Sequence, residues 1–121
     1  MTEQKNRIEG VIPAVMTPLT EGGSIDMGAL EAQVGYLVES GVDGLFIGGT
    51  TAEGALLTAE ERKAAFRLAK EVAGGKVTLY VVILRPHTEE VISELRDFVS
   101  LEPAYAATVT PYYYGVSQET I

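Results

Sequence analysis

Short apolar runs alternate with stretches of helical period, and one run, one helix and their connections recur about every 30 residues along the chain. The runs are Val11 to Met16, Gly44 to Ile47, Val77 to Leu84 and Ala106 to Val109. Apolar runs of this length, each followed by turn or cap residues, predict four parallel strands. Pro13 lacks a ladder donor, which suits a strand end or an edge. Between the runs, Leu30, Val34, Leu37 and Val38 form one helical stripe. Ala64, Ala65, Leu68 and Val72 form a second, and Val91, Ile92, Leu95, Phe98 and Val99 a third. Asp26 is placed to cap the first helix, Thr58 with Glu61 reads as a capping box, and Gly74-Gly75 supplies the left-handed stop of the same helix. Right-handed crossovers then put the loops that follow the strands on one rim.

The count sets the architecture. Four strands and three helices are complete, and Ser117-Gln-Glu-Thr-Ile121 starts like a capped fourth helix, too short to be stable alone. A closed (β/α)8 barrel takes ~250 residues, so 121 residues correspond to about half of one. The expected fold is therefore α/β of the TIM-barrel type, its first half, (βα)3β4 plus the start of helix 4. Residues 1–121 are expected to form a single incomplete domain. The first and last strands would leave unpaired edges that invite a second copy or a missing partner.

Chemistry gathers where the second run ends, in Gly44-Leu-Phe-Ile-Gly-Gly-Thr-Thr-Ala-Glu-Gly54. Glycines allow a sharp turn, and the turn amides at Gly49, Thr50 and Thr51 with two adjacent hydroxyls make a donor set suited to a carboxylate or phosphate. The plainer alternative is that the two threonines end a strand and cap a turn. Another strand closes in Val109-Thr-Pro-Tyr-Tyr-Tyr114, whose polar groups can pass protons. A formal net charge of −8 argues against nucleic acid and anionic membranes as partners. The absence of cysteine removes disulfides and thiolate chemistry and is compatible with a reducing cytoplasm. The polar N-terminus has no apolar run of signal-peptide or membrane-span length, so a cytoplasmic location is expected. No metal cluster is visible, and no cofactor is expected.

The ordered segments Gly10-Val-Ile-Pro-Ala-Val-Met-Thr-Pro18, Gly48-Gly-Thr-Thr-Ala-Glu53, Leu57-Thr-Ala-Glu-Glu-Arg62 and Val109-Thr-Pro-Tyr-Tyr113 with Ser117-Gln-Glu119 resemble the dihydrodipicolinate synthase and N-acetylneuraminate lyase family. The resemblance implies a (β/α)8 lyase or synthase that forms a Schiff base between a barrel lysine and pyruvate or a related 2-oxo acid. By position, Thr51 and its amide resemble the carboxylate holder, and Thr50 resembles the relay hydroxyl. Tyr113 resembles the relay tyrosine that crosses a tight dimer interface, which implies a homo-oligomer, a dimer or tetramer, formed through that segment. The family's second tyrosine and its Schiff-base lysine would lie beyond Ile121. Lys5, Lys63, Lys70 and Lys76 are placed in the N-terminal arm, on the polar side of the second helix or at the wrong rim, so the chain alone is expected to be inactive.

Two departures bear on the substrate: Ala52 replaces the family's usual glycine, and the loop Ile83-Leu-Arg-Pro-His-Thr88 replaces a Gly-rich one. Arg85 could grip a second carboxylate or form an ordinary salt bridge. His87 reads as a solvated or packed loop residue, Glu53 as a brace of the turn, and Glu60 to Glu71 as a solvated face. Two other readings stay open. One is a small monomeric open α/β domain that binds phosphate or a nucleotide, with helices on both faces. The other is a shortened gene product with only an assembly role.

Overall fold

The computed structural model describes residues 8–110, 115 and 117–119. Three helices, α1 (Met27–Glu39), α2 (Ala59–Ala73) and α3 (Thr88–Val99), alternate with three strands, β1 (Gly44–Ile47), β2 (Thr78–Ile83) and β3 (Tyr105–Thr108). The strands form a parallel sheet in the order β1-β2-β3, with Leu45 opposite Leu79 and Val81 opposite Ala106.

The first predicted strand is the main correction. Val11–Met16 runs beside β1 but makes a single parallel bridge, Ala14 to Phe46. Phe46 donates to the Pro13 carbonyl at 3.0 Å and Val15 donates to Phe46 at 3.0 Å. Pro13 has no N–H to return, so the ladder cannot become regular there.

The helix ends follow their side chains. Asp26 Oδ1 accepts from the Ala29 amide at 3.0 Å. The Thr58 hydroxyl accepts from the Glu61 amide at 3.1 Å, and the Thr58 amide donates to Glu61 Oε2 at 2.7 Å, the reciprocal capping box. Gly74, with φ 55°, takes the left-handed stop. Gln118 and Glu119 lie in a turn, and the rest of the expected fourth helix falls outside the described residues.

One hydrophobic core joins the three helices to one face of the sheet. It contains Leu30 and Val34 of α1, Ala65, Phe66, Ala69 and Ala73 of α2, Phe98 of α3, and the alternate strand residues Leu45, Ile47, Leu79, Val81 and Ile83. Phe66 and Phe98 meet edge to face at 5.7 Å. The α2 stripe is centred on Phe66 and Ala69, with Leu68 and Val72 at its margin, and Ile92 and Val99 of α3 are exposed.

The opposite strand face carries none of these helices. There Phe46, Tyr80 and Tyr105 stand in one row across the sheet, with ring centroids 6.4 and 5.1 Å apart. Burial pushes the Tyr80 phenol above its ordinary value, and Tyr105 and Asp43 add to the effect. Helices on one face only is the layering of a barrel segment, whereas a doubly wound sheet has them on both. No helix among the described residues is long and apolar enough to cross a membrane.

Candidate functional site

Where β1 ends, the backbone doubles back on itself. Gly48 has φ +88°, and a Cβ there would lie 3.0 Å from the Val82 carbonyl oxygen. A Cβ on Gly49 would press on the Phe46 ring at 3.3 Å, and one on Gly54 would sit 1.9 Å from the Gly48 oxygen. Only glycine at 54 lets the outgoing chain touch the strand end. Glu53 enters the 3-10 turn Gly54–Leu56 with φ 55°, a left-handed conformation uncommon outside glycine.

The turn divides its amides into two groups. Ala52 and Gly54 both donate to the Gly49 carbonyl, at 3.1 and 3.0 Å, and Glu53 donates to the Thr50 carbonyl at 3.0 Å. Those donors are consumed. The amides of Thr50 and Thr51 make no hydrogen bond among the described residues, and neither do their hydroxyls; both residues are exposed. The Thr50 N–H shares its peptide unit with the doubly bonded Gly49 carbonyl, and the Thr51 N–H shares its unit with the bonded Thr50 carbonyl. A carbonyl that already accepts polarises its own peptide and strengthens the N–H on the far side. Two strengthened amides and two hydroxyls, adjacent and unspent, can hold an anion, and a carboxylate's oxygens match such a donor set.

An ionic cluster lies behind the turn. The Arg62 guanidinium donates to the Gly54 carbonyl at 3.0 Å and also to the Leu57 carbonyl and Glu94 Oε1. Glu94 Oε2 accepts from Arg85 Nε at 2.8 Å. Arg62 and Glu94 are buried, so the solvated face read from Glu60 to Glu71 does not extend to Arg62. On that face Glu60 and Lys63 form an i,i+3 pair at 2.8 Å, which lowers the Glu60 carboxyl's pKa. A sequence signal existed for the buried pair. Arg62 is in phase with Ala65, Phe66 and Ala69, and Glu94 with Val91, Leu95 and Phe98, so each charge stands on an apolar stripe.

Of the residues singled out from sequence, Gly49, Thr50 and Thr51 come together in the turn at the C-terminal end of β1. Tyr113 lies outside the described residues, as do Tyr112 and Tyr114; Val109 and Thr110, which precede them, leave β3 at the same rim. Arg85 is engaged by Glu94, the salt-bridge alternative. His87 is exposed at the N-cap of α3, without a side-chain cap bond, and its carbonyl accepts from Val91 at 3.1 Å. Glu53 contributes backbone to the turn, its carbonyl accepting from Leu56 at 2.9 Å.

Comparison with known proteins points the same way. Residues 7–121 match the Dihydrodipicolinate synthetase family. A 4-hydroxy-tetrahydrodipicolinate synthase of Methanothermobacter thermautotrophicus is 32% identical over 107 residues, 88% of this chain and 38% of the relative. An N-acetylneuraminate lyase of Citrobacter koseri is 33% identical over 116 residues, 93% of this chain and 38% of the relative. The crystal structure of a chloride-inhibited dihydrodipicolinate synthase from Acinetobacter baumannii, complexed with pyruvate, superposes with a TM-score of 0.87 at 30% identity over 93% of this chain and 39% of that one. The chain thus spans well under half the length of the proteins it matches. Its parallel β/α units, with helices on one sheet face, are part of the barrel those proteins share. With its family match spanning nearly all of its residues, the chain belongs to the dihydrodipicolinate synthetase family.

Proposed function

We propose that this chain is part of a Schiff-base-forming lyase or synthase that condenses pyruvate or a related 2-oxo acid with an aldehyde, or cleaves the product. The observation that carries the reading is the pair of unspent amides and hydroxyls at Thr50 and Thr51, on the rim where the chain after β3 also emerges. The Thr51 amide and hydroxyl hold the carboxylate end of the 2-oxo acid. Thr50 passes protons toward Tyr113 as the carbinolamine forms and collapses, since imine chemistry near neutral pH needs protons moved both ways. That a similar structure is a complex with pyruvate supports the choice of ligand.

The covalent lysine is not supplied by the described residues. Lys63 pairs with Glu60, Lys70 donates to the Leu101 carbonyl at 2.7 Å, and Lys76 follows α2 at the entry to β2. In this reading the lysine comes from outside the 121 residues, and the assembled enzyme is a cytoplasmic homo-oligomer joined through the Tyr113 segment.

Pyruvate titrated into the 15N-labelled chain tests the carboxylate site. The Thr50 and Thr51 amide resonances should move with saturation, and Thr51→Val should abolish the response while leaving stability within about 0.5 kcal/mol, as for an exposed side chain. Unmoved resonances in the unmodified chain would refute the site. Borohydride reduction in the presence of pyruvate should leave the chain's mass unchanged; a one-to-one adduct on a single lysine would refute the assignment of the lysine elsewhere.

A further inference from the structure

Arg62, Glu94 and Arg85 share one carboxylate between two guanidinium groups, so the cluster is one unit positive in a chain whose formal net charge is −8. Arg62 and Glu94 are 4% and 6% exposed, which keeps salt from screening them as it screens a surface pair. Stability alone does not account for such a cluster, because well-packed apolar residues in its place cost no desolvation. Its connections do. Arg62 grips the carbonyls of Gly54 and Leu57, at the two ends of the 3-10 turn that leads out of the anion turn. The Gly54 amide in turn donates to Gly49, the carbonyl that polarises the Thr50 amide. Arg62 Nη2 is buried there and makes no hydrogen bond among the described residues.

We infer that Arg62 is a positioning residue for the anion turn: it clamps the backbone whose free amides face the ligand and, with Arg85, places unbalanced positive charge behind them. The ligand in this inference rests on the reading proposed above; the clamp does not. A guanidinium suits the task because its planar fork reaches two carbonyls and a carboxylate at once, where an ammonium is a single point. The same cluster ties the loop after β1 to the loop after β2, since Arg85 follows β2 and Glu94 lies on α3.

The test is amide hydrogen exchange and pyruvate titration on the 15N-labelled chain and its variants. Losing one charge-assisted bond should speed exchange at Ala52, Glu53 and Gly54 about tenfold in Arg62→Lys, with Leu45 and Val81 unchanged. Pyruvate should bind it more weakly by a similar factor. If Arg62→Lys does not fold, Glu94→Gln, which keeps a neutral acceptor for Arg62, should speed exchange at the same turn amides about threefold. Arg85→Gln removes the surplus charge and leaves the clamp, so turn exchange should hold while pyruvate affinity falls about threefold and loses part of its salt dependence. Turn amides no faster than in the unmodified chain, or rising together with the sheet amides, would overturn the clamp. Unchanged pyruvate affinity in Arg85→Gln would overturn the electrostatic part. An unmodified chain that ignores pyruvate would sink the ligand reading, while the exchange comparison would still decide the clamp.

Discussion

The two ends of the sheet use glycine for the same geometric purpose and then diverge. At the N-terminal end, a Cβ on Gly10 would lie 2.2 Å from Asp43 Oδ2, and one on Gly44 would lie 2.7 Å from the Tyr80 ring. The space so freed is filled, and the polar groups around it are spent. The Val11 amide donates to Asp43 Oδ2 at 2.7 Å, Asp43 donates back to the Val11 carbonyl at 2.9 Å, and Thr78 donates to the Asp43 carbonyl at 3.0 Å. At the C-terminal end, Gly48 and Gly54 bring the chain equally close, yet the amides and hydroxyls of Thr50 and Thr51 stay uncommitted. One end closes its hydrogen bonds on itself, and the other leaves some uncommitted. The division matches the general rule for β/α barrels, in which the loops after the strands carry chemistry and the opposite face carries stability.

A methyl group added at each end separates their roles. Gly54→Ala puts Cβ against the backbone oxygen of Gly48, which no rotamer change can relieve. It should cost about 3 kcal/mol or more by chemical denaturation and remove the pyruvate response. Gly44→Ala meets the Thr78 carbonyl at 2.9 Å and a Tyr80 ring that can tilt, so it should cost about 2 kcal/mol. The folded fraction should keep its pyruvate response; losing it would show that the two ends are not independent.

A smaller effect follows from pH. The Tyr80 phenol has its folded pKa raised above the ordinary value of 10.0, chiefly by desolvation. Below pH 10 both folded and unfolded chains hold the proton, so this contribution is fully present. Above that value the unfolded chain ionises first, and stability falls as pH climbs toward the raised folded value. Denaturant midpoints should therefore decline above about pH 10, and Tyr80→Phe should flatten the decline. A decline of equal steepness in the variant would remove Tyr80 as its source.

Much of this was legible because it is local. Thr58 and Glu61 announce their capping box by spacing, Asp26 its helix start, and Gly74 its stop, each through contacts within a few residues. Gly48 to Thr51 could likewise be read as a donor-rich turn from residue types alone. Other features resisted. Val11–Met16 looks like a strand by apolarity, yet Pro13 reduces it to a single bridge. The pairing of Arg62 with Glu94 is another, since two helices bring them together across 32 residues of sequence. Their places on apolar stripes hinted at burial, but no helix pattern reveals which partner will neutralise a buried charge.

What the chain determined by itself is the alternation of strand and helix, the caps, and the glycine positions where only a missing Cβ permits the turn, because φ preference and side-chain reach act over a few residues. Which donors remain free and which charges are buried is set by long-range packing. Those depend on the register of β1 against β2 and on α2 packing beside α3, contacts whose geometry no short stretch of sequence specifies.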